Sequence, residues 1–139
     1  MTDTEMNDRR LPVGIQSFEK IRKEGYLYVD KTDMIWKLAH SNKTYHYLSR
    51  PRRFGKSILV DTLQAYFEGK KELFEGLKVM ELEKDWICYP VIRLDMSCGG
   101  ATPEELNSYL DDAFYKYEQK YEVAVRPEAS LAVRFQNII

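Results

Sequence analysis

Cysteine is scarce in this sequence: Cys88 and Cys98 are the two it has. A pair without CxxC spacing builds neither a disulfide framework nor a four-ligand zinc site, and the default for such thiols is burial in reduced form. Long apolar runs are absent too. None approaches the ~20 residues that span a bilayer, and Met1 to Arg10 carries no hydrophobic segment of the kind a secretory leader needs. Neither sign of charge is in excess, since 21 Lys and Arg face 22 Asp and Glu for a net charge of −1. A globally basic nucleic-acid binder is thereby excluded, and only a local patch stays open. No internal repeat of useful length occurs, only a Phe-Glu-Gly echo at 67–69 and 74–76. These absences describe a soluble, cytoplasmic chain with no membrane partner.

What the sequence does contain is core material. Apolar residues are 44% of its 139 positions, aromatics 13%, and ten of these are tyrosines, enough for one folded domain. Residues 1–10 are polar and read as a disordered lead-in to a domain over 11–139. Gly25 to Val29 reads as a short strand closed by Asp30. Thr32 is placed to cap a helix with Met34, Ile35, Leu38 and Ala39 on one face, broken at Ser41-Asn42. Thr44 to Leu48 and Pro90 to Asp95 are compact runs of strand-formers without alternation, as expected of strands buried on both faces. Helices are expected at 58–68, with Ile58, Leu59, Leu63, Tyr66 and Phe67 in register, at 70–77, and at about 127–139 with Leu131, Phe135, Ile138 and Ile139 on one side. Thr102-Pro103-Glu104-Glu105 is a helix start, with Thr at the cap and Glu at the third position. The helix it opens puts Leu106, Leu110, Ala113, Phe114 and Tyr117 on one face. Strands alternating with helices predict an α/β fold with a mostly parallel sheet.

The chemistry is concentrated in Arg50-Pro51-Arg52-Arg53-Phe54-Gly55-Lys56-Ser57, between the 44–48 run and the 58–68 helix. A helix start directs backbone N–H groups and positive potential at an anion. In a phosphate loop of the form GxxxxGK[ST], the lysine reaches the phosphate oxygens and the following hydroxyl ligates Mg²⁺. Lys56 and Ser57 fit those roles, but Arg50 stands where the first glycine belongs, so the loop is a degenerate Walker A. Arg50, Arg52 and Arg53 offer bidentate phosphate contacts in its place. The segment predicts a three-layer P-loop sandwich that binds ATP, or a related nucleoside triphosphate, with Mg²⁺. Read without a ligand, it is a solvated loop whose arginines pair with acidic neighbours; a third reading has them on a nucleic-acid backbone.

Other candidates are weaker. Asp95 ends an apolar run, where a metal-side carboxylate would sit, yet a local turn cap is the simpler reading. His46 reads as a core or cross-strand residue and His40 as a helix end. Ser97 lacks a nucleophile elbow, and the tyrosines between Leu106 and Tyr121 read as packing surface.

Leu11 to Ile15 with Phe18, Tyr28-Val29-Asp30-Lys31-Thr32, Leu48 to Ser57, Tyr66-Phe67-Glu68-Gly69 with Leu73-Phe74, and Tyr89 to Asp95 together resemble the AAA-ATPase-like proteins. These are prokaryotic P-loop ATPases that often carry a C-terminal PD-(D/E)XK nuclease-like domain. The resemblance implies that the arginine-led loop is the family's phosphate loop and that Tyr28 to Thr32 lies near the nucleotide. It also implies that the sheet is C-terminally incomplete here, because similar proteins continue into an acidic Walker B strand. Hydrolysis by this chain alone is therefore doubtful. The expected function is nucleotide binding by part of an ATPase domain. The alternative is a non-catalytic interaction or regulatory remnant that self-associates or awaits a missing C-terminal domain.

Overall fold

A computed structural model describes residues 9–139; most of the expected lead-in lies outside them. The chain divides into two compact units, one ending at Val91 and one spanning Ile92–Ile139.

In the first unit, Ser17 caps α1 (Phe18–Lys23), its hydroxyl accepting from the Lys20 N–H. Next come α2 (Thr32–Ala39), α3 (Lys56–Phe67), a 3₁₀ turn over Lys71–Phe74 and the short α4 (Val79–Leu82). Phe18, Ile35, Ala65, Tyr66, Leu73, Phe74, Leu77 and Val79 form the core they share. Phe18 meets Phe74 and Tyr28 at ring-centroid distances of 5.0 and 5.1 Å. Helix α2 begins at Thr32, but Thr32 is its first residue and not its cap: Lys31 holds the cap position with no side-chain cap bond. Met34 faces solvent while Trp36 packs on the core. Helix α3 ends at Glu68, with Gly69 in the left-handed conformation that follows many helix ends.

The second unit holds a 3₁₀ turn (Met96–Cys98), α5 (Pro103–Lys120) and α6 (Leu131–Ile138). The expected start of α5 is a complete capping box: Thr102 Oγ1 accepts from the Glu105 N–H, and Glu105 accepts from the Thr102 N–H. Phe114 and Phe135 stack at 5.6 Å. Of the apolar face expected on α6, Ile138 is buried and Phe135 stacks on Phe114, while Ile139 is exposed and Arg134 is buried beside them.

The α/β expectation is not met. Among the described residues there is no β-strand, so neither the parallel sheet nor the P-loop three-layer sandwich forms; helices pack directly on helices. The preference of Tyr, Val and Ile for strands records their fit to a pleated, half-buried surface beside a partner. Tyr45 and Tyr47 have no such surface, being 90% and 92% exposed. In the 90–95 run, tyrosine hydroxyls take the backbone groups that a ladder would use. Tyr117 Oη accepts from the Arg93 N–H at 2.7 Å and donates to the Arg93 carbonyl at 2.8 Å, and Tyr109 Oη accepts from the Asp95 N–H at 2.8 Å. Tyr89 likewise donates its N–H to the Phe67 carbonyl, at 2.7 Å, and not to a strand.

Two smaller expectations also fail. Cys88 and Cys98 are exposed, not buried. His46 is exposed as well, its Nε2 3.1 Å from Ser41 Oγ. No helix among the described residues is long and apolar enough to cross a membrane.

Candidate functional site

The loop predicted to bind phosphate lies wholly at the surface: Arg50, Pro51, Arg52, Arg53, Phe54, Gly55, Lys56 and Ser57 are all exposed. It turns into α3 through two left-handed residues, Arg53 at φ 65° and Gly55 at φ 75°, ψ 19°. Glycine takes this conformation at no steric cost, whereas an arginine there is strained by about 1–3 kcal/mol. Gly55 is the cap of α3, and no side chain caps the helix start. Lys56 and Ser57 are its first two residues, so their N–H groups belong to the positive end of a twelve-residue helix.

A hollow of about 510 Å³ opens at this end. Arg53, Gly55, Lys56, Ser57 and Ile58 line one side, and Gly14 to Gln16 the other. Arg50, Pro51, Arg52 and Phe54 are outside the lining. The second wall is held by local bonds: the Ile15 N–H donates to the Pro12 carbonyl at 3.2 Å, Gly14 adopts φ 73°, and Ser17 opens α1. Asp61 on α3 accepts from the Phe18 N–H at 3.1 Å, tying the start of α1 to the helix that carries Lys56. Leu11 to Ile15 carries part of the family resemblance, which assigned it no role at the site; its sequence signal is a glycine and a proline among apolar residues.

The lining suits an anion, with one guanidinium, one ammonium and a helix start. For Mg²⁺ the side chains of the lining offer the Ser57 hydroxyl and the Gln16 amide but no carboxylate, so a metal would have to arrive with the phosphates and take Ser57.

The Tyr28–Thr32 motif has a visible structural task. Asp30 Oδ1 accepts from the Thr32 N–H at 2.9 Å and from Thr32 Oγ1 at 2.7 Å, and Asp30 Oδ2 accepts from the Lys78 N–H at 2.7 Å. Thr32 Oγ1 in turn accepts from the Val79 N–H at 3.0 Å. The motif thus latches α2 to the start of α4. Burial opposes ionisation of Asp30, but the bonds from Thr32 and Lys78 prevail and hold its carboxyl below the ordinary range. Asp95 is a local cap as read, accepting from Ser97 N–H at 3.0 Å and Ser97 Oγ at 2.5 Å. The Ser97 bonds hold its carboxyl low.

The family model described as "Predicted AAA-ATPase" matches residues 12–139, and the chain belongs to that family. Among curated proteins it is similar to one from Azotobacter chroococcum mcd 1 called "Uncharacterized protein in vnfD 5'region". The two are 46% identical over 96 residues, which are 68% of this chain and 18% of that protein. The chain therefore spans under a fifth of that relative's length. No solved structure matches it significantly.

Proposed function

We propose that the chain binds a nucleoside triphosphate, ATP by family analogy, at the start of α3. The observation that carries this reading is the hollow of about 510 Å³ that gathers Arg53, Gly55, Lys56 and Ser57 at an uncapped helix start. Membership of the Predicted AAA-ATPase family supports it. In this reading the N–H groups of the first turn and Lys56 Nζ bind phosphate oxygens, and Arg53 adds a planar two-pronged donor. Ser57 would hold Mg²⁺, which screens the phosphate charge. Arg50 and Arg52, exposed outside the lining, contribute longer-range positive potential. Gly14 to Gln16 close the hollow opposite the phosphates. The proposal is binding; hydrolysis is no part of it.

Calorimetric titration with ATP and Mg²⁺ tests the site directly. Lys56→Ala should weaken binding at least about tenfold, the loss of one charge-assisted contact. Equal affinities for the two proteins would remove the site.

A further inference from the structure

A second hollow, of about 340 Å³, lies in the first unit and shares no lining residue with the phosphate site. Tyr66, Phe67, Trp86 and Tyr89 line it, together with His40 and the acidic residues Glu83 and Asp85. Tyr66 meets Phe67 at 5.2 Å and 77°, Phe67 meets Tyr89 at 6.1 Å and 77°, and Tyr66 meets Trp86 at 5.7 Å and 62°. Steeply inclined rings make corners. A flat base needs a parallel slot, whereas a rounded cation is suited by faces that converge from several directions.

The carboxylate narrows the choice of cation. Glu83 Oε2 accepts from the Tyr66 hydroxyl, and Glu83 Oε1 accepts from the N–H groups of Lys84 and Asp85 at 3.1 and 3.3 Å. His40 Nε2 lies 3.7 Å from Glu83 Oε2. Burial opposes ionisation, but the Tyr66 hydroxyl, the backbone donors and His40 outweigh it and hold this carboxyl below the ordinary range. Glu83 is thus charged at neutral pH with both oxygens already engaged. It supplies negative potential but has little capacity left for a further N–H donor. Trp86 is held over Tyr66 and Phe74 by a backbone at φ 38°, an unfavourable conformation for a large side chain.

We propose that this hollow binds a quaternary ammonium group, a weakly hydrated cation without N–H donors, on the faces of Tyr66, Phe67, Trp86 and Tyr89 in the field of Glu83 and Asp85. The ligand class is a trimethylammonium head, as on a trimethylated amine. The site does not depend on the nucleotide reading. A primary ammonium is more strongly hydrated and would surrender more of that hydration among these rings, with Asp85 and not the engaged Glu83 to replace it.

Choline is the probe, followed by the tryptophan fluorescence of the full chain, which comes from Trp36 and Trp86. Its neutral tert-butyl analogue, with carbon in place of the ammonium nitrogen, serves as the isostere. Choline should saturate the signal, and the isostere should bind at least about tenfold more weakly. Tyr89→Leu, at a half-exposed position, should weaken choline binding by about tenfold with an unchanged far-ultraviolet circular dichroism spectrum. Asp85→Asn should weaken it in the same direction. Lys56→Ala should retain choline binding whatever it does to ATP. The proposal is overturned if the isostere binds as well as choline, if neither binds, or if folded Tyr89→Leu binds choline like wild type.

Discussion

Arg134 on α6 grips Glu118 on α5 with two parallel bonds, Nε to Oε1 at 2.9 Å and Nη2 to Oε2 at 2.7 Å, and both side chains are buried. Its remaining nitrogen, Nη1, pairs with Asp111. The two-pronged geometry orients α6 along α5 in a way that Phe114 and Ile138, packing without direction, do not. Such a pair has to repay the desolvation of two charges, so it specifies an arrangement more than it adds net stability.

Breaking one side of that pair should be costly. Arg134→Met is expected to destabilise the second unit by about 3–5 kcal/mol, because the Glu118 charge stays buried and uncompensated, and Glu118→Gln by less, because Arg134 keeps Asp111. The double change Glu118→Leu with Arg134→Met should recover most of the loss, as urea unfolding would show. The Arg134 bonds hold the Glu118 carboxyl below its ordinary range, against the opposing effect of burial. Its contribution is therefore complete above the unfolded carboxylate range and is lost as pH falls through the lower folded value. Glu118→Gln should flatten that acid limb, and an unchanged limb would contradict the assignment.

The Asp30 latch makes a separate prediction for the first unit. Asp30→Ala leaves the Thr32 and Lys78 donors without their acceptor and should cost about 2 kcal/mol. Thr32→Val, at a fully buried position, removes the acceptor of the Val79 N–H and should cost a similar amount. The folded Asp30 carboxyl titrates below its unfolded value, so its stabilisation is likewise lost on acidification. Thermal unfolding across pH checks this. If the motif acts only on nucleotide, both variants will melt like wild type.

Arg53 separates strain from charge. It sits in the left-handed region at φ 65° and lines the hollow at the start of α3. Arg53→Gly should raise stability by about 1 kcal/mol by relieving the backbone while lowering ATP affinity through the lost guanidinium. Opposite signs in the melting temperature and in the titration are the expected pattern. A variant that binds ATP as tightly as wild type would place Arg53 outside the contact set.

The elements legible in the sequence were those specified by local chemistry. Thr102 and Glu105 specify their capping box from four adjacent residues, and Gly69 marks the end of α3 through backbone conformation alone. Strand formation is different, because it depends on a partner. Nothing inside Thr44 to Leu48 records that Tyr45 and Tyr47 lack a neighbouring chain, and nothing inside 90–95 records that Tyr109 and Tyr117 take its backbone groups. At the candidate site, Lys56 and Ser57 were readable from their spacing, while Gly14 to Gln16 enter through tertiary contacts such as the Asp61 to Phe18 bond. The buried pair had left a trace: Glu118 follows Leu110 and Phe114 at four-residue spacing, in register with the apolar face.

Gly69 allows steric and conformational costs to be told apart. A Cβ there would lie 2.5 Å from Cys88 Sγ, in a backbone at φ 70°. Gly69→Ala therefore suffers a clash and also the cost of a left-handed alanine, of order 1–2 kcal/mol. The Cys88 thiol donates to the Glu68 carbonyl at 3.2 Å, so it cannot move aside without losing that contact. Cys88→Ala alone should be mild, because the residue is exposed. Combined with Gly69→Ala, it should remove the clash and leave the conformational part, so the double variant should be more stable than Gly69→Ala alone. If unfolding midpoints show the two substitutions to be additive, Gly69 is required for its backbone conformation alone and not for its closeness to Cys88.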